Sequence, residues 1–494
     1  MSAARDARPG PLYGSAVPDQ RETPLATAAE AYLADERIAP FTTPGHKRAA
    51  HLVDPFLAQD IPLQSGADDF HLIGDVLGRA ERLAADLWGA ERCRFCVNGT
   101  TQGNAALSLA IARPGDRVIA SRNLHKSLFA GFVLAGLEPV WVRPDIDADT
   151  GLPLGIPAAR IEDALAKAPD ARAVVLVEPS YVGVVSDAAA IAEAAHARGI
   201  PLVVDQAWGA HYGFHPDVPP SAISLGADAM VVSAHKTLAA FTQGAYLFAR
   251  GELLDHDRVD ESFELFTTTS PSAAIYASLD RTRALLAARG DELVGEAVRL
   301  ARRAREALRQ VDGLRLVEPG PRDVSVAFHD PTKLVLSLAR TGADGLAVER
   351  DLYAEGITLE LANRDTLVPL LTIGDTDASV DRLLEAVVAS IERHRRAPRG
   401  PGAASAVWAV EPEVALAPRE AFFAPRETVA ANHAAGRIAA ETVVPYPPGI
   451  PAIAPGEVVR APLLAALREA AADGTRMAYC ADPTLATIQV VAQP

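Results

Sequence analysis

The sequence predicts an α/β protein whose larger part is a mainly parallel sheet with helices over both faces. Two observations carry this reading. Apolar runs such as Leu202-Val203-Val204 and Val231-Val232 are uninterrupted and end abruptly in polar residues, Asp205 and Ser233, as strands buried on both faces do. Helical patterns separate successive runs, giving the strand-helix-strand units that parallel neighbours require.

Residues 1 to about 24 are rich in proline, alanine and charge, and read as an arm that orders only against another surface. The helix pattern TAAEAYLADER leads to Pro44-Gly45-His46-Lys47, a turn whose last two residues face either a cleft or solvent. GRAERLAADLWGAE has helix spacing, and the strand through Arg94-Phe95-Cys96-Val97 runs into Asn98-Gly99-Thr100-Thr101-Gln102-Gly103-Asn104. A strand, a glycine turn and a helix start make an anion site of backbone amides and hydroxyls, so Thr100, Thr101 and Gln102 are candidates for a phosphate cradle. Threonine and glycine also simply cap helices. RVIASRNLHKSLFAGFVLAGLEPVWV reads strand, loop, helix, strand, with His125 just before the helix. It is either a helix-entry residue or an imidazole lying flat against a ring.

ARAVVLVEPSYVGVVSD gives a further strand and IAEAAHARG a helix, and the Asp205 and Ser233 strands follow. Thr267 to Ser272 is a hydroxyl-rich loop, solvated or reaching across a subunit boundary to a phosphate. A helical stretch from about 285 to 310 carries the chain out of the large domain. Beyond it LRLVEP, TKLVLSLA, ITLELA and LVPLLTIG alternate with helical patterns, which predicts a smaller α/β domain. Residues 396–406 have linker composition, and in the remainder three prolines around Tyr446 and Gly449 predict a rigid loop at a pocket rim. The expected division is an arm and short helix at 1–37, a large domain at 38–285, a small domain at 286–395, the linker, and a C-terminal domain at 407–494.

The length predicts about three domains, and 49% hydrophobic content is ample for their cores. A net charge of −16 without a basic run argues against nucleic acid or an anionic membrane as partner. The N-terminus lacks a signal-peptide core and no stretch suits a membrane span, so the expected location is the cytosol. Three cysteines are too few for a disulfide scaffold. Cys93 and Cys96 have metal-motif spacing but no second pair, and read as small residues of a strand. His211 and His215 have the spacing of a helical metal pair, yet Gly213 and Pro216 oppose a helix there, so no metal is expected.

An acid ending one strand and a lysine just past the end of the next, Asp205 and Lys236, suit one cofactor. Pyridoxal 5′-phosphate (PLP) needs a lysine for its Schiff base and an acid beside its pyridinium nitrogen.

Several motifs then fall into one order: PGHK at 44–47, NGTTQGN at 98–104, RNLHKS at 122–127, EPSYVGVVSD at 178–187, DQAWGAH at 205–211, SAHKTL at 233–238, TTTSPS at 267–272, YPPGIPAIAPGE at 446–457 and ADPTL at 481–485. Over roughly residues 38 to 490 the chain resembles the Orn/Lys/Arg decarboxylase family in its short form. The resemblance implies a PLP enzyme of fold type I, with an aspartate aminotransferase-like large domain, a smaller α/β domain and a C-terminal α+β domain. It implies that Lys236 holds PLP, that Asp205 pairs with the ring nitrogen, and that Ala207 and His125 cover the two ring faces. Thr100, Thr101, Gln102 and Ser233 would meet the phosphate, with Thr268 supplied by a neighbouring subunit, and His235 would lie near the phosphate or the substrate carboxylate. It implies a homodimer or assembly of dimers that decarboxylates a basic amino acid, arginine ahead of lysine and ornithine. Gln206-Ala207-Trp208 departs from the Glu-Ala-His of many short forms and resembles the longer ones, and Thr43 stands where methionine is common.

A cationic substrate calls for carboxylates, with Glu360 and Glu457 as candidates against their reading as surface residues. The competing reaction is transamination, in which Arg364 would take the α-carboxylate. A catalytically silent regulator is disfavoured by the joint presence of Lys236, Asp205 and His125.

Overall fold

The computed structural model describes residues 18–49, 51, 60–61, 63, 75–147, 149–320, 323–400, 404–408, 410–446 and 449–493. Most of the expected arm, part of the linker and Pro447 and Pro448 of the proline-rich loop lie outside the described residues.

The large sheet contains β1 (Arg92–Cys96), β2 (Arg117–Ser121), β3 (Glu138–Val142), β4 (Val174–Val177), β6 (Leu202–Asp205), β7 (Ala229–Ser233) and β8 (Ala245–Ala249), with a short β5 (Val184–Val185) outside it. Its strand order is β1-β8-β7-β6-β4-β2-β3. β3, β2, β4, β6 and β7 pair in parallel, whereas β8 runs antiparallel to both β7 and β1. The continuous apolar runs are explained by two separate cores. Val204, Met230 and Val232 join one cluster while Val203, Ala229 and Val231 join another on the opposite face.

Helices α1 (Pro24–Ala34), α2 (Asp75–Trp88), α5 (Ala158–Lys167) and α6 (Ala188–His196) feed the first core. Helices α3 (Gly99–Ile111), α4 (Lys126–Ala135) and α8 (His256–Leu265) feed the second, and a single turn, α7 (Ala234–Thr237), follows β7. Cys93 belongs to one core and Cys96 to the other. Three residues apart on a strand, their side chains leave on opposite faces, so the pair cannot close on one metal.

The helix expected from about 285 begins at Ala273 and runs to Leu308 as α9, thirty-six residues long. Its first turns were hidden in the sequence by the polar run Asp280-Arg281-Thr282-Arg283, which reads as surface. In fact Arg283 and Asp280 are both fully buried and paired at 2.8 Å. Arg283 also donates to backbone carbonyls of Gln20 and Glu22, while Asp280 accepts from the Leu25 and Ala26 amides and fastens α1. Position 285 therefore falls inside one continuous helix.

After α9, strands β9 (Arg315–Leu316), β11 (Leu336–Ser337), β12 (Leu361–Ala362) and β13 (Thr366–Val368) form a four-stranded sheet in the order β12-β13-β11-β9, antiparallel throughout. Between them β10 (Phe328–His329) pairs back to β5. The helices α10 (Gly345–Ala354) and α11 (Asp377–His394) pack on this sheet through Val348, Leu352, Val387 and Ile391.

The C-terminal part comprises the short helices α12 (Ala404–Val407), α13 (Pro418–Phe423) and α14 (Ala431–Ala434), the longer α15 (Ala461–Ala472), and two strand pairs. These are β14 (Arg426–Ala430) with β17 (Thr487–Val491) and β15 (Val444–Tyr446) with β16 (Arg476–Ala478). A buried ion pair, Arg122 to Glu457 at 3.0 Å, ties this part to the loop after β2.

Candidate active site

Parallel pairing brings the carboxyl ends of β2, β4, β6 and β7 to one edge of the sheet. In the register Val177, Asp205 and Val231 lie side by side. A cavity opens at that edge, lined by Thr100, Asn123, His125, Val177, Pro179, Ser180, Tyr181, Asp205, Ala207, Trp208, Lys236, Gly449 and Ile450. Open α/β sheets place their ligands at this position, outside the strand ends.

Five of the residues singled out from the sequence therefore share one cavity: Thr100, His125, Asp205, Ala207 and Lys236. The others stand apart from its lining. Ser233 is buried at the end of β7, and His235 is half-buried with Nδ1 3.0 Å from the Gly244 carbonyl oxygen. Thr101 and Thr268 are exposed. Gln102 is buried with both ends of its amide engaged by protein, Oε1 accepting from the Val97 amide at 3.2 Å and Nε2 donating to Thr267 at 3.0 Å. Lys47 of the PGHK turn is exposed, and the His46 ring lies 3.5 Å from Asp60.

The two carboxylates considered for a cationic substrate separate cleanly. Glu457 is 4% exposed, pairs with Arg122 and accepts the Ala454 amide, so it holds the C-terminal loop rather than a ligand. Glu360 is exposed, as its surface reading expected, and lies within electrostatic reach of Lys236 and Lys333. Arg364, the candidate α-carboxylate anchor for transamination, is paired with Asp365 at 2.8 Å and Asp473 at 2.6 Å, in a different depression.

Beneath the cavity runs a hydrogen-bonded chain through Asn104 and Ser127, neither of which was singled out from the sequence. Asn104 Nδ2 donates to Asp205 Oδ2 at 2.8 Å and to Ser127 Oγ at 2.9 Å. Ser127 Oγ lies 2.8 Å from His125 Nδ1, which also accepts the Ser127 backbone N–H at 3.3 Å. Because Nδ1 accepts the Ser127 amide it carries no proton, so the Ser127 hydroxyl donates to it and a neutral His125 carries its proton on Nε2. Burial, with Lys236 and Lys126 adding to it, lowers the proton affinity of His125 against the pull of Asp205. The Ala207 amide donates to Asp205 Oδ1 at 3.1 Å, so both carboxylate oxygens are fixed. Asn104 sits inside the NGTTQGN motif, one helical turn beyond the residues considered for the cradle.

Burial lowers the proton affinity of Lys236 also, opposed by Asp205 and Glu360. Its Nζ lies 4.2 Å from the centre of the Trp208 ring. Among the described residues, two buried polar atoms of the cavity wall, Asn123 Oδ1 and Tyr181 OH, have no hydrogen-bond partner. A reactive amine, an oriented carboxylate, a flat imidazole and unfilled polar atoms fit a polar aromatic aldehyde such as PLP.

Fold and cavity together define an enzyme of fold type I. Residues 23–379 match the major domain of the Orn/Lys/Arg decarboxylases and residues 403–474 match their C-terminal domain. The chain is 34% identical to an arginine decarboxylase of Bacillus subtilis over 89% of its length and 92% of that protein. It is 33% identical to an arginine decarboxylase of Halalkalibacterium halodurans over 96% and 98%. The constitutive lysine decarboxylase of Escherichia coli is more distant in sequence, at 25% over 77% of this chain and 65% of that protein. Its solved structure superposes with a TM-score of 0.77 at 22% identity, covering 96% of this chain and 82% of that one. The chain belongs to the Orn/Lys/Arg decarboxylase family, and with it to the lyases.

Two consequences can be measured. Asn104→Ala removes one of the donors that hold the buried Asp205, and the unfolding free energy should fall by about 1–3 kcal/mol, with Ser127→Ala costing less. Wild-type urea midpoints for Asn104→Ala would show that the chain is not what fixes Asp205. Glu178, 4% exposed beside Pro179, is pushed up to about 7 by burial, against its contacts to Ser186. Its unfolded counterpart releases its proton near 4.5. Between these values the folded state binds more protons, so its stability falls as pH rises, and the loss is complete above 7. Glu178→Gln should nearly match wild type at pH 4.5 and exceed it by about 3 kcal/mol at pH 8; urea unfolding at both values reads the difference.

Proposed function

We propose that this chain is an arginine decarboxylase that binds PLP in the Lys236–Asp205 cavity. The carrying observation is that the amine and the carboxylate line one cavity at the ends of adjacent parallel strands, with His125 and Ala207 in the same lining. When bound, PLP supplies an electron sink for the bond to the departing carboxylate. Lys236 tethers the aldehyde, and its lowered proton affinity leaves more of the free amine that this attachment needs. Asp205 would pair with the ring nitrogen of the bound group and favour its protonated form, as an adjacent anion does. The Asn104 and Ala207 donors keep that carboxylate from turning away. His125 and Ala207 would cover the two faces of the ring, and a neutral imidazole would add no charge there.

Thr100 and the first amides of α3 provide the phosphate end of the site. Thr101 of α3, Ser233 at the end of β7 and His235 of α7 would contribute from outside the lining, and exposed Thr268 would contribute from a partner subunit in a homodimer. Gln102 supports this end indirectly, by linking Val97 after β1 to Thr267 after α8. Trp208, Tyr181 and Ile450 keep water from the reacting bond. Glu360 receives the guanidinium of arginine; burial pushes its proton affinity up, while Lys236 and Lys333 favour its anion. Identity of 33–34% to proteins named arginine decarboxylase supports arginine over lysine. Among the described residues no helix is long and apolar enough to cross a membrane, and we place the enzyme in the cytosol.

Release of CO2 from arginine, lysine and ornithine, without a keto acid, tests the reading. Arginine should give the highest kcat/KM and agmatine the product; a requirement for a keto acid acceptor would instead indicate transamination. Glu360→Gln should raise the KM for arginine roughly ten- to hundredfold, the loss of one charge-assisted contact, with kcat within a few fold. An unchanged KM would remove Glu360 from the substrate site.

A further inference from the structure

We propose that Lys333 meets the α-carboxylate of the substrate and, once CO2 has left, returns a proton to the carbon that carried it. The inference deepens the decarboxylase reading and rests on it.

Lys333 follows Asp330-Pro331-Thr332 and is 6% exposed. Its stem is pinned from below. A Cβ added to Gly183, which has φ +87°, would stand 2.7 Å from Lys333 Cγ and 2.8 Å from its Cβ. Only glycine fits there, and the stem directs Nζ onto Trp208, 3.7 Å from the ring centre. Lys236 Nζ lies 4.2 Å from that same centre, so the two amines are separated by no more than the sum of those distances.

The bland role for a buried lysine is to neutralise a buried acid, and Asp330 is the one at hand. Asp330 does not need it. Thr332 donates to Oδ1 from its amide at 2.8 Å and its hydroxyl at 2.7 Å, while Tyr212 OH and His211 Nε2 each lie 3.2 Å from Oδ2. Among the described residues Lys333 Nζ meets no hydrogen-bond or ion-pair partner, and the Trp208 face is its close contact. An amine on a largely buried side chain, left over in this way, has a counter-ion to find.

The charged groups around it are Asp330, Lys236 and Glu360. Glu360 is assigned to the distal cation of the substrate and Lys236 marks where its nitrogen is held, which leaves the α-carboxylate for Lys333. Burial first, and Lys236 in addition, lower the Lys333 ammonium to about 7 against the pull of Asp330 and Glu360. An arriving carboxylate favours the protonated form. When the bond from Cα to the carboxylate breaks, CO2 leaves as a neutral molecule and the electron pair stays with Cα and the ring. The ammonium has then lost its counter-ion in a buried site and is a stronger acid. Its proton forms the new C–H bond, and the neutral amine recovers a proton from water before the next turnover.

The test uses the PLP-loaded enzyme with Lys333→Met and Lys333→Arg. Lys333→Met should retain the visible absorbance of the bound imine, with its pH midpoint raised because a neighbouring cation is gone. Its kcat should drop by roughly a hundred- to ten-thousandfold, the usual range for a lost general acid. The share of aldehyde over amine product should rise, because the proton is then added to the cofactor carbon instead of Cα. Lys333→Arg keeps a charge but not a readily donated proton, so it should hold KM within about threefold of wild type while kcat falls. Should Lys333→Met fail to fold, the Arg variant decides, and wild-type kcat in it overturns the proposal. Lys333→Met with wild-type kcat and product ratio overturns it equally. If the wild-type enzyme makes no amine from arginine, it is the decarboxylase reading that has failed.

Discussion

The structure depends on one electrostatic constraint: a carboxylate and an amine are held, both largely out of water, at the ends of adjacent parallel strands. Asp205 is 2% exposed. A buried charge is tolerable only when its hydrogen bonds are satisfied, and most of what surrounds the cavity does that. Asn104 comes from α3, the Ala207 amide from the turn after β6, and Ser127 and His125 from the entry to α4. The fold brings these segments together because parallel pairing sends every one of these strands' carboxyl ends to the same edge.

The C-terminal part completes the wall instead of merely adding mass. Gly449 and Ile450 face the cavity, and their loop is held by Arg122, whose guanidinium engages the Pro451 and Ala452 carbonyls as well as Glu457 and rests 5.2 Å from the Trp141 ring. Arg122 lies three residues before His125. The same loop after β2 therefore positions a residue in the cavity and fastens the segment that closes it. Breaking such a buried pair from one side is costly, because the remaining charge has nowhere to go.

Much of this was legible in the sequence. The strands were, because burial on both faces leaves apolar runs without alternation, and the polar residues that end them then mark the functional edge. Asp205 and Lys236 were readable as a pair for that reason, and the order of motifs pointed to the family. Long-range pairing was not readable. Glu457 looked like a free carboxylate because its partner is 335 positions away, and the buried Arg283–Asp280 pair masked the start of α9. The engagement of Gln102 by protein was not readable either, because one of its partners, Thr267, is 165 positions away. Lys333 looked like one polar residue in a strand pattern, TKLVLSLA. That it makes no direct bond to Asp330 appears only when Thr332, Tyr212 and His211 are seen to fill that carboxylate.

The central claim is that Lys236 is the residue that carries an aldehyde cofactor. Borohydride reduction of the PLP-loaded enzyme, followed by proteolysis and mass analysis, tests it directly. The account predicts one phosphopyridoxyl adduct, on the peptide containing Lys236, and loss of the visible imine absorbance on reduction. An adduct on Lys333 or on a surface lysine, with Lys236 unmodified, would contradict it.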